Sequence, residues 1–336
     1  RAHDRGRFEV YGYSLRSHAD DTAECLRGEF DHFRNFESLA THTAASMIRN
    51  DEVDILIDLG GYTYGSRPEI AALRPAPLQV GWLGFIHGQQ APWLDGVLLD
   101  AQILPESAMW PYLDTPVRMP GFMFPAGPMP TGTADRAGFG LPEGVPLLAS
   151  FNNSYKLDAE LVLAWINILQ RAPDAHLLVY LPPYSHAGFL RYWQLHGGDA
   201  ARVHLAGRLP ASEQANRAAS CDLFLDAFRY QAGATAIASV AAGLPILSRA
   251  GATPLARLSA SLNQFLGLES LVCTSTETYV ERALTLIRSP DELTALRRSM
   301  KEAISRVRLL DPRRASLMIE QAVVRMLDAK YPVSAG

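Results

Sequence analysis

The chain has 336 residues, of which 48% are hydrophobic and 20% charged, and its formal net charge is -4. These values exclude a disordered chain. The sequence has no long run of Lys or Arg and no apolar stretch long enough to span a membrane, so it indicates neither nucleic-acid nor membrane binding. The length predicts two domains, and the widely spaced Cys25, Cys221 and Cys273 indicate buried thiols in a reducing, cytoplasmic compartment.

The first third of the chain alternates strand and helix patterns, which predicts a parallel α/β sheet. The strand pattern begins almost at the first residue, so we expect the sequence to start inside a domain whose upstream part is missing. The predicted strands are 8–15, 53–59, 78–83 and 97–100, and a helix over 39–50 is predicted to be capped by Ser38.

A composition shift predicts the domain boundary. Residues 120–142 hold five prolines and five glycines, so 1–120 is interpreted as one domain, 121–142 as a linker and 143–310 as a second, doubly wound domain. Residues 311–336 are predicted to form a helix that crosses back to the first domain. The second domain has predicted strands at 147–151, 176–181, 203–205, 222–226 and 245–247, and its predicted helices are 158–171, 186–196 and three more that begin near Ser212, Gly233 and Pro254.

A polar turn follows the first predicted strand of the second domain and contains Asn153 and Lys156. Ligands of doubly wound sheets bind at the carboxyl ends of strands, where an ammonium can neutralise a diphosphate and an amide can donate to the same oxygens. A helix-capping loop with a solvated lysine explains the same pattern.

Small residues open the helix near Gly233, where the sequence reads Gly233-Ala234-Thr235-Ala236. A first turn without bulky side chains leaves backbone N–H groups and the positive end of the helix dipole accessible to a phosphate. Close packing of the helix on the sheet would also require small residues, but we favour anion binding.

A third loop could hold a base. Leu209 and Ala211 would offer backbone groups to a uracil edge, and Gln214 and Arg217 lie one turn apart on the helix that Ser212 would cap. An ordinary capping-box variant explains this pattern equally well.

In the predicted first domain, glycine-rich loops follow two strands, one at Gly60-Gly61 and one at Leu83-Gly84. His87 in the second loop is a candidate general base, although a loop histidine more often lines a site and makes hydrogen bonds without transferring a proton. No spacing typical of a metal site is present, and residues 232–243 contain no acidic side chain.

Several motifs are similar to those of the protein O-GlcNAc transferase family, and the similarity runs nearly from end to end. They are Gly61-Tyr62-Thr63, residues 72–80, Trp82-Leu83-Gly84, Phe151-Asn152-Asn153 with Tyr155-Lys156, residues 165–169, and Ala242-Gly243-Leu244-Pro245. The resemblance implies a GT-B fold, in which two Rossmann-like domains face a cleft and the first domain here is incomplete. It also implies that 143–310 binds the UDP-sugar.

The resemblance places the family's phosphate-binding lysine at Lys156 and its neighbouring amide position at Asn153. The family's uracil-stacking lysine falls on Ala211 and a contact histidine on Gln214, whereas its arginine one turn further is kept as Arg217. The family's helix start falls on residues 233–236, but Ala234 and Ala236 replace its histidine and second threonine, and Ser239 replaces an acidic residue. Leu83 and Gly84 match positions near the sugar, and Tyr62 and Arg67 match positions near the acceptor. The family's candidate base histidine and its tetratricopeptide repeats would precede Arg1.

The resemblance therefore implies inverting transfer of GlcNAc from UDP-GlcNAc to Ser or Thr hydroxyls of a polypeptide, without a metal or other cofactor. Inversion is also favoured because residues 232–243 lack the pair of glutamates that retaining GT-B enzymes place around this helix. A GT-B transferase with a small-molecule, lipid or asparagine acceptor is one alternative. A nucleotide-sugar-binding module without turnover is another, because of the alanines at Ala234 and Ala236.

Overall fold

A computed structural model describes residues 2–17, 21–86, 88–106 and 110–332. The chain divides into two compact units, and each is built from parallel strands connected mainly by helices. Unit 1 comprises Arg1–Pro125 and Pro312–Gly336, and unit 2 comprises Ala126–Asp311.

Unit 1 contains a two-stranded and a four-stranded sheet. Its strands are β1 (Tyr11–Ser14), β2 (His32–Asn35), β3 (Ile55–Asp58), β4 (Leu78–Trp82), β5 (Gly96–Asp100) and β6 (Pro116–Met119). Its helices are α1 (Asp21–Arg27), α2 (Thr41–Asn50), α3 (Pro68–Ala72) and α11 (Pro312–Lys330). β1 pairs with β2, and β3 to β6 pair in chain order.

Unit 2 is a doubly wound domain with one six-stranded sheet. Its strands are β7 (Leu147–Ser150), β8 (His176–Tyr180), β9 (Val203–Ala206), β10 (Leu223–Leu225), β11 (Ile246–Arg249) and β12 (Val272–Cys273). Its helices are α4 (Ala159–Arg171), α5 (His186–Leu195), α6 (Ala211–Ala219), α7 (Ala234–Ala241), α8 (Leu258–Leu266), α9 (Thr276–Arg288) and α10 (Pro290–Arg306). The order β12-β11-β10-β7-β8-β9 puts the first strand, β7, at the centre.

The final helix, α11, belongs to unit 1. The Arg314 guanidinium donates hydrogen bonds to the carbonyls of Phe122 and Phe124, and the Lys330 ammonium donates one to Asp95 at 2.6 Å.

Among the described residues, no helix has the length and apolar composition needed to cross a membrane.

The structure corrects two predicted caps. The N-cap of α2 is Ala40 and that of α6 is Pro210, so neither Ser38 nor Ser212 caps a helix, and neither N-cap residue makes a side-chain cap hydrogen bond. Among the cysteines, Cys221 and Cys273 are buried as expected, whereas Cys25 is exposed.

Much of the proline- and glycine-rich segment packs into unit 2 rather than forming a free connection. The Arg136 guanidinium donates to the Asp222 carboxylate and to the carbonyls of Val145 and Ser220. The first stretch of unit 1 accordingly ends at Pro125.

Candidate functional site

The sheet of unit 2 has its topological switch point between β7 and β10, the position where doubly wound domains bind ligands. Because these strands are parallel neighbours, the loops that follow them, residues 151–158 and 226–233, lie side by side. The first loop ends at Asp158, whose carboxylate accepts from the Leu161 N–H at 2.9 Å and caps α4.

A buried carboxylate, Asp226, connects the two loops. It accepts hydrogen bonds from the Asn152 amide at 2.8 Å, from the Ser259 hydroxyl and from the Ala232 N–H at 3.1 Å. Burial raises the pKa of Asp226, and the hydrogen bonds from Ser259 and Asn152 oppose that shift. Sequence reasoning missed this residue, because a lone Asp that ends an apolar strand gives no sign of how deeply it is buried.

The Lys156 ammonium bridges the same two loops. It donates to the Gln231 carbonyl at 3.0 Å and lies 3.9 Å from the centroid of the Tyr230 ring. Burial lowers the pKa of Lys156, while the nearby Asp226 charge raises it. An ammonium has three N–H donors, and within the described residues only the Gln231 carbonyl accepts from this one, so it retains donors for a ligand.

Arg217 is a second cation at this edge of the sheet, and it is only 4% exposed. Its guanidinium donates to the Gly207 carbonyl at 2.9 Å and to the Gln214 side chain, and it lies 5.6 Å from the centroid of the Phe151 ring. Its Nε is buried without a partner, and burial lowers the pKa of Arg217.

Neither of these two cations forms an ion pair with a described carboxylate. Burying a positive charge without an ion pair costs free energy, which an anionic ligand would offset. The arrangement therefore favours an anion at the carboxyl edge of this sheet.

The start of α7 adds backbone donors beside the second loop. Gly233 is its N-cap and makes no side-chain cap hydrogen bond, and the N–H groups of Ala234 and Thr235 have no hydrogen-bond partner in the described part of the chain. Ala234 is exposed and Thr235 half-buried, whereas Ala236 and Ser239 are 0% and 3% exposed. The last two side chains therefore pack inside unit 2.

The remaining predicted contacts of unit 2 lie at its surface. The Asn153 side chain is exposed, and its amide donates to the Tyr155 hydroxyl at 3.3 Å. Leu209 and Gln214 are half-buried, and Ala211 is exposed at the first position of α6. Gln214 is held by its contact with Arg217.

In unit 1 the two glycine-rich loops pack against each other after β3 and β4. A Cβ at Gly84 would lie 1.8 Å from the Leu59 carbonyl oxygen, so glycine is required there, and Leu83 has a left-handed φ of 71°. The ring of Tyr62 meets that of Phe85 edge-on at 5.5 Å. His87 lies outside the described residues.

Arg67 is occupied by structural contacts. Its guanidinium donates to the Phe36 carbonyl and to the Thr41 hydroxyl, both at 3.0 Å. These bonds link the turn before α3 to the start of α2, so the geometry gives Arg67 a role within unit 1. Among the described residues, no group of three or more His, Cys, Asp or Glu gathers to hold a metal.

The sequence profile of glycosyl transferase family 41 matches residues 1–124 and 128–318. The chain belongs to glycosyl transferase family 41. This membership bears out the predicted family resemblance.

Curated relatives of this family member include two plant proteins. One is the probable UDP-N-acetylglucosamine–peptide N-acetylglucosaminyltransferase SEC of Arabidopsis thaliana, 29% identical over 96% of this chain and 34% of that protein. The other is the SPINDLY protein of Solanum lycopersicum, 28% identical over 98% of this chain and 36% of that protein. The chain thus spans about a third of the length of these relatives.

A solved mutant of the Thermobaculum terrenum O-GlcNAc transferase superposes with a TM-score of 0.91 at 28% identity. The match covers 98% of this chain and 63% of that one. This likeness confirms the predicted GT-B fold class, with its parallel sheets and flanking helices.

Proposed function

We propose that this chain is the donor-binding and catalytic region of an inverting transferase that moves GlcNAc from UDP-GlcNAc to Ser or Thr hydroxyls of proteins. Membership of family 41 and the names of the plant relatives support this function. The observation that carries it is the group of donors at the carboxyl edge of the unit 2 sheet that retain N–H groups for a ligand, namely Lys156, Arg217 and the first turn of α7. These groups suit a uridine diphosphate.

The reaction breaks the bond between the anomeric carbon of the sugar and the diphosphate oxygen while the acceptor hydroxyl oxygen bonds to that carbon. The hydroxyl proton passes to a base, which the family resemblance places before Arg1. Negative charge grows on the departing UDP, and Lys156 with the N–H groups of Ala234 and Thr235 would stabilise it. Losing one such preorganised donor costs about 3 kcal/mol of barrier, and in this proposal these donors replace a metal ion.

The remaining site assignments are proposals of the same kind. For the UDP site they comprise Asn153, Leu209, Ala211, Gln214, the N-cap Gly233 and the α7 residues Ala236 and Ser239. For the sugar and acceptor side they comprise Tyr62, Arg67, Leu83, Gly84 and His87. A cytoplasmic location and an upstream tetratricopeptide region that presents the polypeptide acceptor complete the proposal.

The test is transfer of radiolabelled GlcNAc from UDP-GlcNAc to a peptide library by the complete gene product. We expect label on Ser or Thr, and a loss of about 100-fold or more in turnover for Lys156→Ala. The exposed Lys301 lies on α10, so Lys301→Ala is the matched control and should keep full activity. UDP binding without transfer, or label on a small molecule, a lipid or asparagine, would reject the proposed function.

A further inference from the structure

A pair of histidines in unit 2 lies away from the candidate UDP site. His176 is the first residue of β8 and His204 is the second residue of β9, so both are near the amino ends of their strands. The candidate UDP site is at the carboxyl edge of the same sheet. Any role of this pair is therefore separate from the binding of UDP.

The register of the sheet brings the two rings together. His204 lies opposite Leu178, which is two residues after His176 on the neighbouring parallel strand. Side chains two positions apart on a strand lie on the same face, and diagonal neighbours on adjacent strands can touch when their side chains are long. The ring centroids are 5.2 Å apart, and Nδ1 of His176 lies 3.0 Å from Nε2 of His204. The two strands thus hold two imidazole nitrogens side by side.

The surroundings of the pair favour neutral imidazoles. Burial lowers the pKa of His176, and the Arg202 charge lowers it further while the Asp199 charge opposes the shift. Burial also lowers the pKa of His204, and the neighbouring His176 adds to that effect. A neutral imidazole is the form that binds a metal ion. Both side chains are only half-buried, so a solvated ion can reach them.

The two charged residues that act on the pair are engaged with each other. The Arg202 Nε donates to the Asp199 carboxylate at 3.3 Å, and its Nη1 donates to the Leu169 carbonyl at 2.7 Å. The Asp199 carboxylate also accepts from the Ala201 N–H at 2.9 Å. Because the two charges have opposite sign, the repulsion between Arg202 and a cation at the histidine pair is offset by Asp199.

The separation of the two nitrogens suits the chelation of one ion. A bond from a metal ion to an imidazole nitrogen is about 2.0 to 2.1 Å long, so nitrogens 3.0 Å apart would subtend an angle of about 94° at the ion. A tetrahedral Zn²⁺ site would need nitrogens about 3.3 Å apart. An angle near 90° is that of the square-planar or tetragonal sites that Cu²⁺ and Ni²⁺ prefer.

We propose that His176 and His204 chelate a divalent transition-metal ion of tetragonal geometry, with Cu²⁺ bound more tightly than Ni²⁺, at the amino edge of the unit 2 sheet. Water would fill the other coordination positions, because within the described ranges no third His, Cys, Asp or Glu joins the pair. The hydrogen between the rings would move to the second nitrogen of the ring that donates it, so that both facing nitrogens offer lone pairs. The ion would tie the edge strand β9 to β8, and this inference does not rest on the proposed function.

Amide NMR spectra of the protein recorded while Cu²⁺ is added test this inference, because a paramagnetic ion broadens the signals of nearby residues. We expect less than one equivalent of Cu²⁺ to broaden the amides of Leu177 in β8 and Val203 in β9. The amides of β12, which lies four strands away from β8, should keep their intensity. His176→Gln and His204→Gln should each need at least about tenfold more Cu²⁺ for the same broadening, since even an outer partner of a metal ligand contributes that much to affinity.

His196→Gln is the matched control. His196 is an exposed histidine at the end of α5 in the same unit, and its replacement should leave the dependence on Cu²⁺ unchanged. The amide spectra also show that each variant keeps its fold. If the wild type shows no broadening in β8 and β9, or if both glutamine variants broaden at the wild-type Cu²⁺ concentration, the two histidines form only a hydrogen bond and the inference is wrong. Displacement of Cu²⁺ by an equal concentration of Zn²⁺ would contradict the tetragonal geometry.

Discussion

The Asn152 amide donates a 2.8 Å hydrogen bond to the buried Asp226 carboxylate, which lies 74 positions later in the chain. This bond joins the loop that carries Lys156 to the loop that carries Gln231, the acceptor for the Lys156 ammonium. The position of that ammonium therefore depends on a buried polar network rather than on its own loop alone.

The first prediction concerns Asp226→Asn. Because burial raises the pKa of Asp226 above 3.8, the native protein retains a proton that the unfolded chain releases. The free energy of unfolding of the wild type should thus fall as pH rises from about 4 through the raised pKa. The free energy of unfolding of Asp226→Asn should not fall in this way, so its difference from the wild-type value should increase over the same pH range.

Urea unfolding of both proteins between about pH 4 and about pH 8 measures the difference. Asp174→Asn is the matched control, because Asp174 is exposed, and it should follow the wild-type profile. A constant difference between Asp226→Asn and wild type at all pH values would contradict the assignment of a raised pKa.

UDP binding should depend on pH through Lys156. Burial lowers the pKa of this ammonium, so its charge is lost at lower pH than that of a free lysine, and UDP affinity should fall as pH rises through that pKa. In Lys156→Arg the guanidinium stays charged, and only the titration of the uracil ring, common to both proteins, should remain. Calorimetry across the alkaline range tests this, and identical profiles would remove Lys156 from the UDP site.

Arg217→Met should separate binding from stability. Because Arg217 is buried without a carboxylate partner, we expect the free energy of unfolding of the UDP-free protein to change by less than about 1 kcal/mol. UDP affinity should fall by about tenfold or more. Arg298→Met, at an exposed position on α10, should alter neither quantity. Severe destabilisation with unchanged UDP affinity would make Arg217 purely structural.

Gly84→Ala should destabilise unit 1. The added Cβ would lie 1.8 Å from the Leu59 carbonyl oxygen, a backbone atom, so the loop must shift at a cost of about 2 to 3 kcal/mol. Gly188 in α5 has open space around it, and Gly188→Ala should stabilise by about 0.5 to 1 kcal/mol. Denaturant unfolding compares the two, and a neutral Gly84→Ala would show that the two loops do not pack this closely.

The sequence predicted the alternation of strands and helices because buried parallel strands such as β4 and β5 are mostly apolar. It missed β2, which is mostly exposed and reads His-Phe-Arg-Asn, and β6, which begins with a proline. Edge strands of this kind lack the apolar signal. The predicted caps of α2 and α6 were wrong because these helices start after Ala40 and Pro210, and neither start has a side-chain cap hydrogen bond.

The candidate site was predicted in part. Lys156 and the start of α7 could be located because each follows a predicted strand at the edge where ligands of such sheets bind. The central role of Asp226 could not be predicted, because it depends on hydrogen bonds from Asn152 and Ser259, which are distant from it in sequence. Composition could not predict that the segment around Arg136 packs onto Asp222, because this contact also joins residues distant in sequence.

The most direct test of the central claim is a crystal structure of the protein soaked with UDP. The account predicts diphosphate oxygens within about 3 Å of the Lys156 ammonium and of the N–H groups that begin α7 at Ala234 or Thr235. A diphosphate bound away from both groups would contradict it.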